Sequence, residues 1–190
     1  MAKAPKKTDP QTPIEAGAAV LRKRRFAAED RRDFKSLIVR IAVLALAVWV
    51  LFGQVFLLAQ ASGNGMFPAV KDGDLIIGYR LQDPYAKKDV VVYEHDGKLC
   101  TGRILARETD TVRIDESGTL FVNGTAQSGE ILYPTYPKEG GVSYPYEVPE
   151  GMVFILGDYR TQSKDSRDFG AVALTDVKAK VITLLRRRSL

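Results

Sequence analysis

Residues 41–58, IAVLALAVWVLFGQVFLL, carry no charge and a single polar side chain, Gln54. A helix crossing the hydrocarbon of a bilayer needs about 20 apolar residues, with a range of about 17–25. Leu37, Ile38 and Val39 extend the run toward the N-terminus, past Arg40, whose stem can snorkel to the interface. Upstream stand Arg22-Lys23-Arg24-Arg25, Arg31-Arg32 and Lys35. Lys and Arg gathered on one flank of a span mark its cytoplasmic side. The expected layout is a basic cytoplasmic tail over 1–36, a transmembrane anchor over 37–60 and an extracytoplasmic domain over 61–190, single-pass in the cell membrane. Ala59-Gln60-Ala61 matches the A-x-A of a cleaved signal peptide. The apolar run is longer than a usual h-region, and the charged segment before it is long, so an uncleaved anchor is expected.

The charge pattern agrees with that layout. The formal net charge is +5. Residues 1–40 hold eleven Lys/Arg against five Asp/Glu, and residues 61–190 hold seventeen against eighteen. The basic character belongs to the tail. A nucleic-acid binder would carry it on the folded domain, so nucleic acid is not an expected partner. The basic residues of 22–36 suit a juxtamembrane helix lying against anionic lipid. Residues 1–20, rich in Lys, Pro and Ala, are expected to lack order. One cysteine, Cys100, and one histidine, His95, leave no disulfide framework and no His/Cys zinc site, and no cofactor is expected.

Beyond the anchor the pattern is one of short strands and turns, so the fold class expected is mostly β. Strands are expected at 75–77, 90–93, 99–105, 120–122 and 152–156. Asp96-Gly97 reads as a hairpin turn and Asn123-Gly124 as another. A helix is expected only over 175–184, and 133–146, with three Pro and four Tyr, as an irregular loop.

Three blocks, in order, carry a resemblance. The first is Gly63-Asn64-Gly65-Met66-Phe67-Pro68, followed by Lys71-Asp72-Gly73-Asp74. The second is Asp89-Val90-Val91-Val92, then Thr101-Gly102-Arg103-Ile104-Leu105. The third runs from Gly157-Asp158-Tyr159-Arg160 through Ser163, Asp165, Ser166 and Arg167 to Gly170. They resemble, respectively, the G-x-S-M-x-P…G-D, G-D-[VI]-[VI]…K-R-[VI]-[VI]-G and G-D-N-R-x-x-S-x-D-S-R-x-x-G patterns of type I signal peptidases of the S26 class. Eight of the nine fixed positions of the third are matched, with Tyr159 in place of Asn. Leu120 to Gly124 resembles the L-[YF]-[VI]-N-G of the same family.

The resemblance implies a signal-peptidase-type β fold behind one transmembrane helix. In that family a Ser hydroxyl attacks the scissile carbonyl after a signal peptide. A Lys kept neutral by burial takes the proton. In this sequence the Ser position is Gly65 and the Lys position is Gly102. Glycine supplies neither nucleophile nor amine, so no catalytic residue is expected. Ser163, Asp165, Arg167, Gly157 and Asp158 are expected to hold the motif together, and Asn64, Met66 and Pro68 are candidate groove residues. Arg103 is expected to form a structural ion pair, with Asp165 as the candidate partner.

Two substitutes for the missing chemistry can be drawn from the sequence. Ser62 would need a base, and the nearest Lys in the second block is Lys98. Cys100 and His95 flank the Asp96-Gly97 turn; the expected register puts them two residues apart, on opposite faces. A polar residue at the membrane exit, a buried thiol and a surface imidazole are the plainer readings. The chain thus resembles the non-catalytic signal-peptidase-like proteins of Gram-positive pilus operons. That resemblance implies a non-proteolytic factor for sortase-dependent pilus assembly. Its expected partners are membrane lipid and a pilin or signal-peptide-bearing protein, with a sortase as a further candidate. The alternatives are an active signal peptidase with unconventional catalytic residues and a module that holds exported proteins without any link to pili.

Overall fold

The structure, a computed structural model, describes residues 33–127 and 133–186. The tail expected over 1–20, and residues 22–32 of the expected juxtamembrane helix, lie outside the described residues. The chain divides into two compact units at Trp49/Val50. Helix α1 runs Asp33–Val55, 23 residues with a mean hydropathy of 2.4 in its apolar window. At about 1.5 Å per residue that length covers a bilayer core of about 30 Å. Its large apolar side chains point outward, with Leu44 65% and Trp49 63% exposed. The final turn, Leu51–Val55, is wound as a π-helix.

The helix stops short of the expected 37–60. From Phe56 the backbone is extended, and β1 (Phe56–Gln60) pairs with β2 (Leu75–Tyr79). Strands β3 (Val90–His95), β4 (Lys98–Arg107), β9 (Met152–Leu156), β10 (Val172–Ala173) and β11 (Val177–Leu185) complete a seven-stranded antiparallel sheet, ordered β1-β2-β11-β3-β4-β9-β10. Strands β5 (Thr111–Ile114), β6 (Leu120–Val122), β7 (Thr125–Ala126) and β8 (Tyr146–Glu147) form a second sheet, ordered β7-β6-β5-β8. The mostly β expectation holds. The helix expected over 175–184 does not: a 3-10 turn, Leu174–Asp176, leads into β11, which lies between β2 and β3.

Side-chain alternation explains the layering. In β3, Val91 and Tyr93 face one way and Val90 and Val92 the other. Val91 and Tyr93 join Ile104, Val153 and Ile155 in one core cluster, while Val92 joins Leu57, Met66, Ile76 and Ala179 in another. A bulge in β4 between Ile104 and Ala106 turns the strand's end toward the second sheet. There Leu105, Phe154 and Leu156 pack against Val112, Leu120 and Val122. The Asp96-Gly97 turn has φ of 51° and 70°, the left-handed pair a two-residue hairpin turn requires, and it sets Val91 opposite Gly102.

Candidate functional site

The first block is a loop folded onto itself by its own polar groups. Asp72 accepts the Gly63 N–H at 2.7 Å, Asn64 accepts the Asp72 N–H at 3.4 Å, and Asp74 accepts the Lys71 N–H at 3.0 Å. Met66 is the loop's anchor. It is 3% exposed in the cluster with Val92 and Ile76, and its Sδ accepts the Asp158 N–H at 3.4 Å. Met66 is therefore core and not groove lining; of the three candidate groove residues only Asn64 and Pro68 are exposed. Ser62 is exposed as well.

The third block forms the wall on which this loop rests. The Gly65 carbonyl accepts the Tyr159 N–H at 3.0 Å. A Cβ at Gly157 would lie 2.5 Å from the Gly65 oxygen and closer still to the Ser163 Cβ. A side chain at 157 would push the two blocks apart, so this glycine is needed for close backbone approach.

Behind Gly157 sits a buried network of charge. Arg167 grips Asp165 with two hydrogen bonds, Nε to Oδ1 and Nη2 to Oδ2, each 2.9 Å. Asp165 also accepts the Gly157 N–H at 3.0 Å and the Ser163 hydroxyl at 2.7 Å. It caps the short helix α2 (Ser166–Phe169), with Asp168 returning a bond to the Asp165 N–H. Arg167 further donates to the carbonyls of Arg160 and Tyr136 and to the Ser163 hydroxyl at 3.0 Å. Asp165 and Arg167 are each 1% exposed. A buried ion pair is tolerated where the remaining donors and acceptors are satisfied, as they are here. Arg160, 2% exposed, donates to the Gly157 carbonyl and the Thr135 hydroxyl. Desolvation, with Arg167 next in effect, lowers its pKa to about 10.

Arg103 departs from expectation. It forms a two-pronged pair with Asp158, at 2.8 and 2.6 Å, because Arg167 already fills Asp165. It also donates to the Lys88 carbonyl at 2.9 Å. Asp158 thus ties the third block to β4.

Both motif glycines border the end of β9. Their surroundings differ. A Cβ at Gly65 would have the Ser163 Cβ 3.6 Å away, an ordinary contact. A Cβ at Gly102 would fall far inside 3.0 Å of the Ile155 Cγ2, with Tyr93 Cε1 at 3.2 Å and the Leu156 carbonyl at 3.5 Å. Ile155 is 0% and Tyr93 2% exposed. The volume beside Gly102 is filled. The hairpin register could have pointed to Tyr93, since it shares a strand face with Val91 and hence with Gly102; Ile155 comes from a distant strand and left no local signal.

Around Gly65 the half-buried side chains are aromatic. Tyr159, the departure from the family pattern, stacks on Tyr133 with centroids 4.7 Å apart and lies 6.0 Å from Phe67. The side chain that borders Gly65 is Ser163, itself 3% exposed, with its hydroxyl bound between Asp165 and Arg167. His95 pairs with Lys98 and Cys100 with Tyr93, the register expected. His95 and Tyr93 are two apart on one strand, so His95 and Cys100 share a face, contrary to expectation. His95 is stacked on Phe169 at 3.8 Å. Burial pushes the Cys100 thiol up, and Asp96 adds to the effect, the opposite of an activated thiolate. Among the described residues no group of three His, Cys, Asp or Glu side chains is placed to hold a metal ion.

Comparison with known proteins places this arrangement. The chain is 29% identical to signal peptidase I of Bacillus licheniformis over 146 residues, covering 70% of this chain and 76% of that one. It is 26% identical to signal peptidase IB of Staphylococcus aureus over 170 residues, covering 80% and 88%. Among solved structures, a signal peptidase I of Enterococcus faecalis matches at 27% identity and a TM-score of 0.43, over 53% of this chain and 98% of that one. Together with the apolar helix, these relatives suggest membrane anchoring. A family model described as "Signal peptidase, peptidase S26" matches residues 34–185, most of the chain, which belongs to that family.

Proposed function

We propose that this chain is a membrane-anchored, non-proteolytic member of its family, with Gly65 at the nucleophile position and Gly102 at the base position. The observation that carries the reading is the packing at Gly102. A base there needs room for a side chain, and Ile155 and Tyr93 occupy that room. Removing both members of a nucleophile–base unit leaves only residual binding effects on rate. What remains is a structured wall and an edge formed by the exposed Asn64 and Pro68 and the half-buried Tyr159, suited to holding a peptide. Relatives named signal peptidase act on signal-peptide-bearing proteins, and such a protein is the first candidate partner. The resemblance to signal-peptidase-like pilus proteins supports a pilin and a sortase as further candidate partners and pilus assembly as the process served. The basic residues ahead of α1 favour a cytoplasmic N-terminus and an extracytoplasmic domain.

A second reading has one observation in its favour: the Ser163 side chain borders Gly65, its Cβ 3.6 Å from a Cβ built there. It would need a free base, and both oxygens of its neighbour Asp165 are already engaged by Arg167, one of them also by the Gly157 N–H. The full-length protein in detergent, given a fluorogenic signal-peptide substrate, is expected to show no turnover. Turnover that disappears in Ser163→Ala, Ser62→Ala or Cys100→Ala would overturn the proposal. Crosslinking in membranes of the source organism tests the pilus assignment, which fails if neither pilin nor sortase is captured.

A further inference from the structure

We propose that the Ala61–Ser62 peptide bond is a masked processing site. A cut there, by an endopeptidase that selects small side chains, would free residues 62–190 from the anchor, and the pairing of β1 with β2 prevents it. The proposal rests on the anchor reading of α1. A segment processed on export carries an apolar run and then small side chains at the third and first positions before the cut. Here α1 ends at Val55 and the uncharged run at Leu58. Ala59 and Ala61 fill the two small positions, and the exposed Ser62 comes next. Hydrolysis would break the C–N bond between Ala61 and Ser62 and consume one water, leaving a carboxylate on Ala61 and an amine on Ser62.

The folded chain withholds the groups such an enzyme must take. Alternation puts Leu57, Ala59 and Ala61 on one face of the segment. That face is turned into the core cluster that holds Met66, Ile76 and Val92. Ala61 is 5% and Leu57 7% exposed, so the methyl next to the bond is already packed. The backbone is engaged as well. The Ala61 N–H donates to the Asp74 carbonyl at 2.8 Å, and the Ala61 carbonyl, whose carbon would be attacked, accepts the Gly73 N–H at 3.0 Å. Just before it, Phe56–Gln60 is paired residue by residue with Leu75–Tyr79. The mask is nonetheless removable. Among the described residues β1 is the edge of its sheet, with β2 as its neighbour, so it can peel away while β2 stays paired with β11. Local openings of this kind cost less than global unfolding. Proteolysis then follows the open population where opening and closing are fast. Core packing alone would account for small side chains at 59 and 61, but not for their place at the exit of α1, directly before an exposed residue.

The test gives the full-length protein in detergent to a purified, active signal peptidase I, beside a synthetic peptide of residues 50–68. The peptide should be cut between Ala61 and Ser62, and the folded chain should stay intact. Leu57→Ala, which loosens β1 from the core, should raise the rate of cleavage at least about thirtyfold, the gain in open population expected of a large-to-small core substitution. Mass spectrometry of the product should show a fragment that begins at Ser62. Leu58 and Ile77 face one another in the register, so Leu58→Cys with Ile77→Cys can staple β1 to β2 in the Leu57→Ala, Cys100→Ala background. Oxidation should restore resistance and dithiothreitol should remove it. A variant that had merely unfolded would be cut in both states, and cleavage indifferent to the staple overturns the proposal. So does an uncut peptide, a wild-type chain cut as fast as the peptide, a Leu57→Ala chain as resistant as wild type, or a fragment with any other first residue. Alkaline carbonate extraction of membranes reports on α1 separately, and release of the intact chain overturns the anchor reading together with this one.

Discussion

A single methyl group added at each motif glycine separates a filled volume from an open one. At Gly65 the new Cβ of an alanine would meet Ser163 atoms at 3.6 and 3.8 Å, ordinary van der Waals separations, and no positive φ stands in the way. Gly→Ala at a compatible position restricts the unfolded chain and stabilises by about 0.4–1 kcal/mol. At Gly102 the same methyl collides with the Ile155 Cγ2 and presses on the Tyr93 ring at 3.2 Å. The Ile155 branch can clear only by rotating a β-branched side chain that is 0% exposed, against a packed core. Overpacking of this kind costs about 1–3 kcal/mol. The two substitutions should therefore differ in sign. Urea unfolding of the full-length protein, followed by far-ultraviolet circular dichroism, reads this as opposite shifts in midpoint at constant slope. A cycle with Ile155→Ala sharpens the test. That substitution alone costs about 2–5 kcal/mol through the cavity it leaves, and the Gly102 methyl should fill part of it, so the double variant should lose at least about 1 kcal/mol less than the sum. Additivity within about 0.5 kcal/mol, or equal effects of Gly102→Ala and Gly65→Ala, would refute the filled-site account.

Asp165→Asn should cost about 3–5 kcal/mol, because it leaves the Arg167 guanidinium buried without its counter-charge; a thermal midpoint close to wild type would show that the network is dispensable. The acid limb of stability should respond to Asp110. Burial alone would raise its carboxyl, but the Arg107 N–H, Lys87 and Asn123 hold it below its ordinary value. Its folded-state pKa is thus lower than its unfolded one. The stabilisation is complete above the ordinary carboxylate value and is lost as pH falls through the depressed one. Asp110→Asn should flatten unfolding-versus-pH curves in that acid range, and parallel curves for variant and wild type would count against the assignment.

How far the sequence could be read depended on how local each signal was. The hairpin at Asp96-Gly97 was legible because a two-residue turn with positive φ at both positions has its own residue preference. The register it sets, Val91 opposite Gly102, followed directly. Strand β1 was hidden inside an apolar run, since hydropathy alone does not distinguish the end of a membrane helix from a strand. Strand β11 was mistaken for a helix for a related reason. Val177, Ala179 and Val181 alternate with lysines as in a strand, but bulges between Val177 and Ala179 and between Val181 and Thr183 shift the faces, so that Val177 packs with Tyr93 while Ala179, Val181 and Leu184 pack around Met66. The Arg103–Asp158 pair was out of reach because which of two nearby aspartates an arginine takes depends on whether another arginine already holds one. Met66 looked like groove and is core for the same non-local reason: its partners come from β2, β3 and β11.

The third block is the most specific part of the family pattern, yet its geometry says most about folding. Ser163, Asp165, Ser166 and Arg167 cap α2, hold the end of β9 through Ser166 and the Ile155 N–H, and satisfy one another's buried polar groups. A substitution there leaves a charge or donor unpaired in the core, a cost independent of whether the protein cleaves anything. Gly65 and Gly102 are different, because nothing in the buried network bonds to a side chain at either position. A scaffold can therefore keep the whole third block and lose its chemistry at two points, and the block's presence is then no measure of activity. The discriminating information lies in the volume beside Gly102. Were that volume empty, placing a lysine there would be a local change; with Ile155 and Tyr93 filling it, a lysine at 102 would have to displace core side chains.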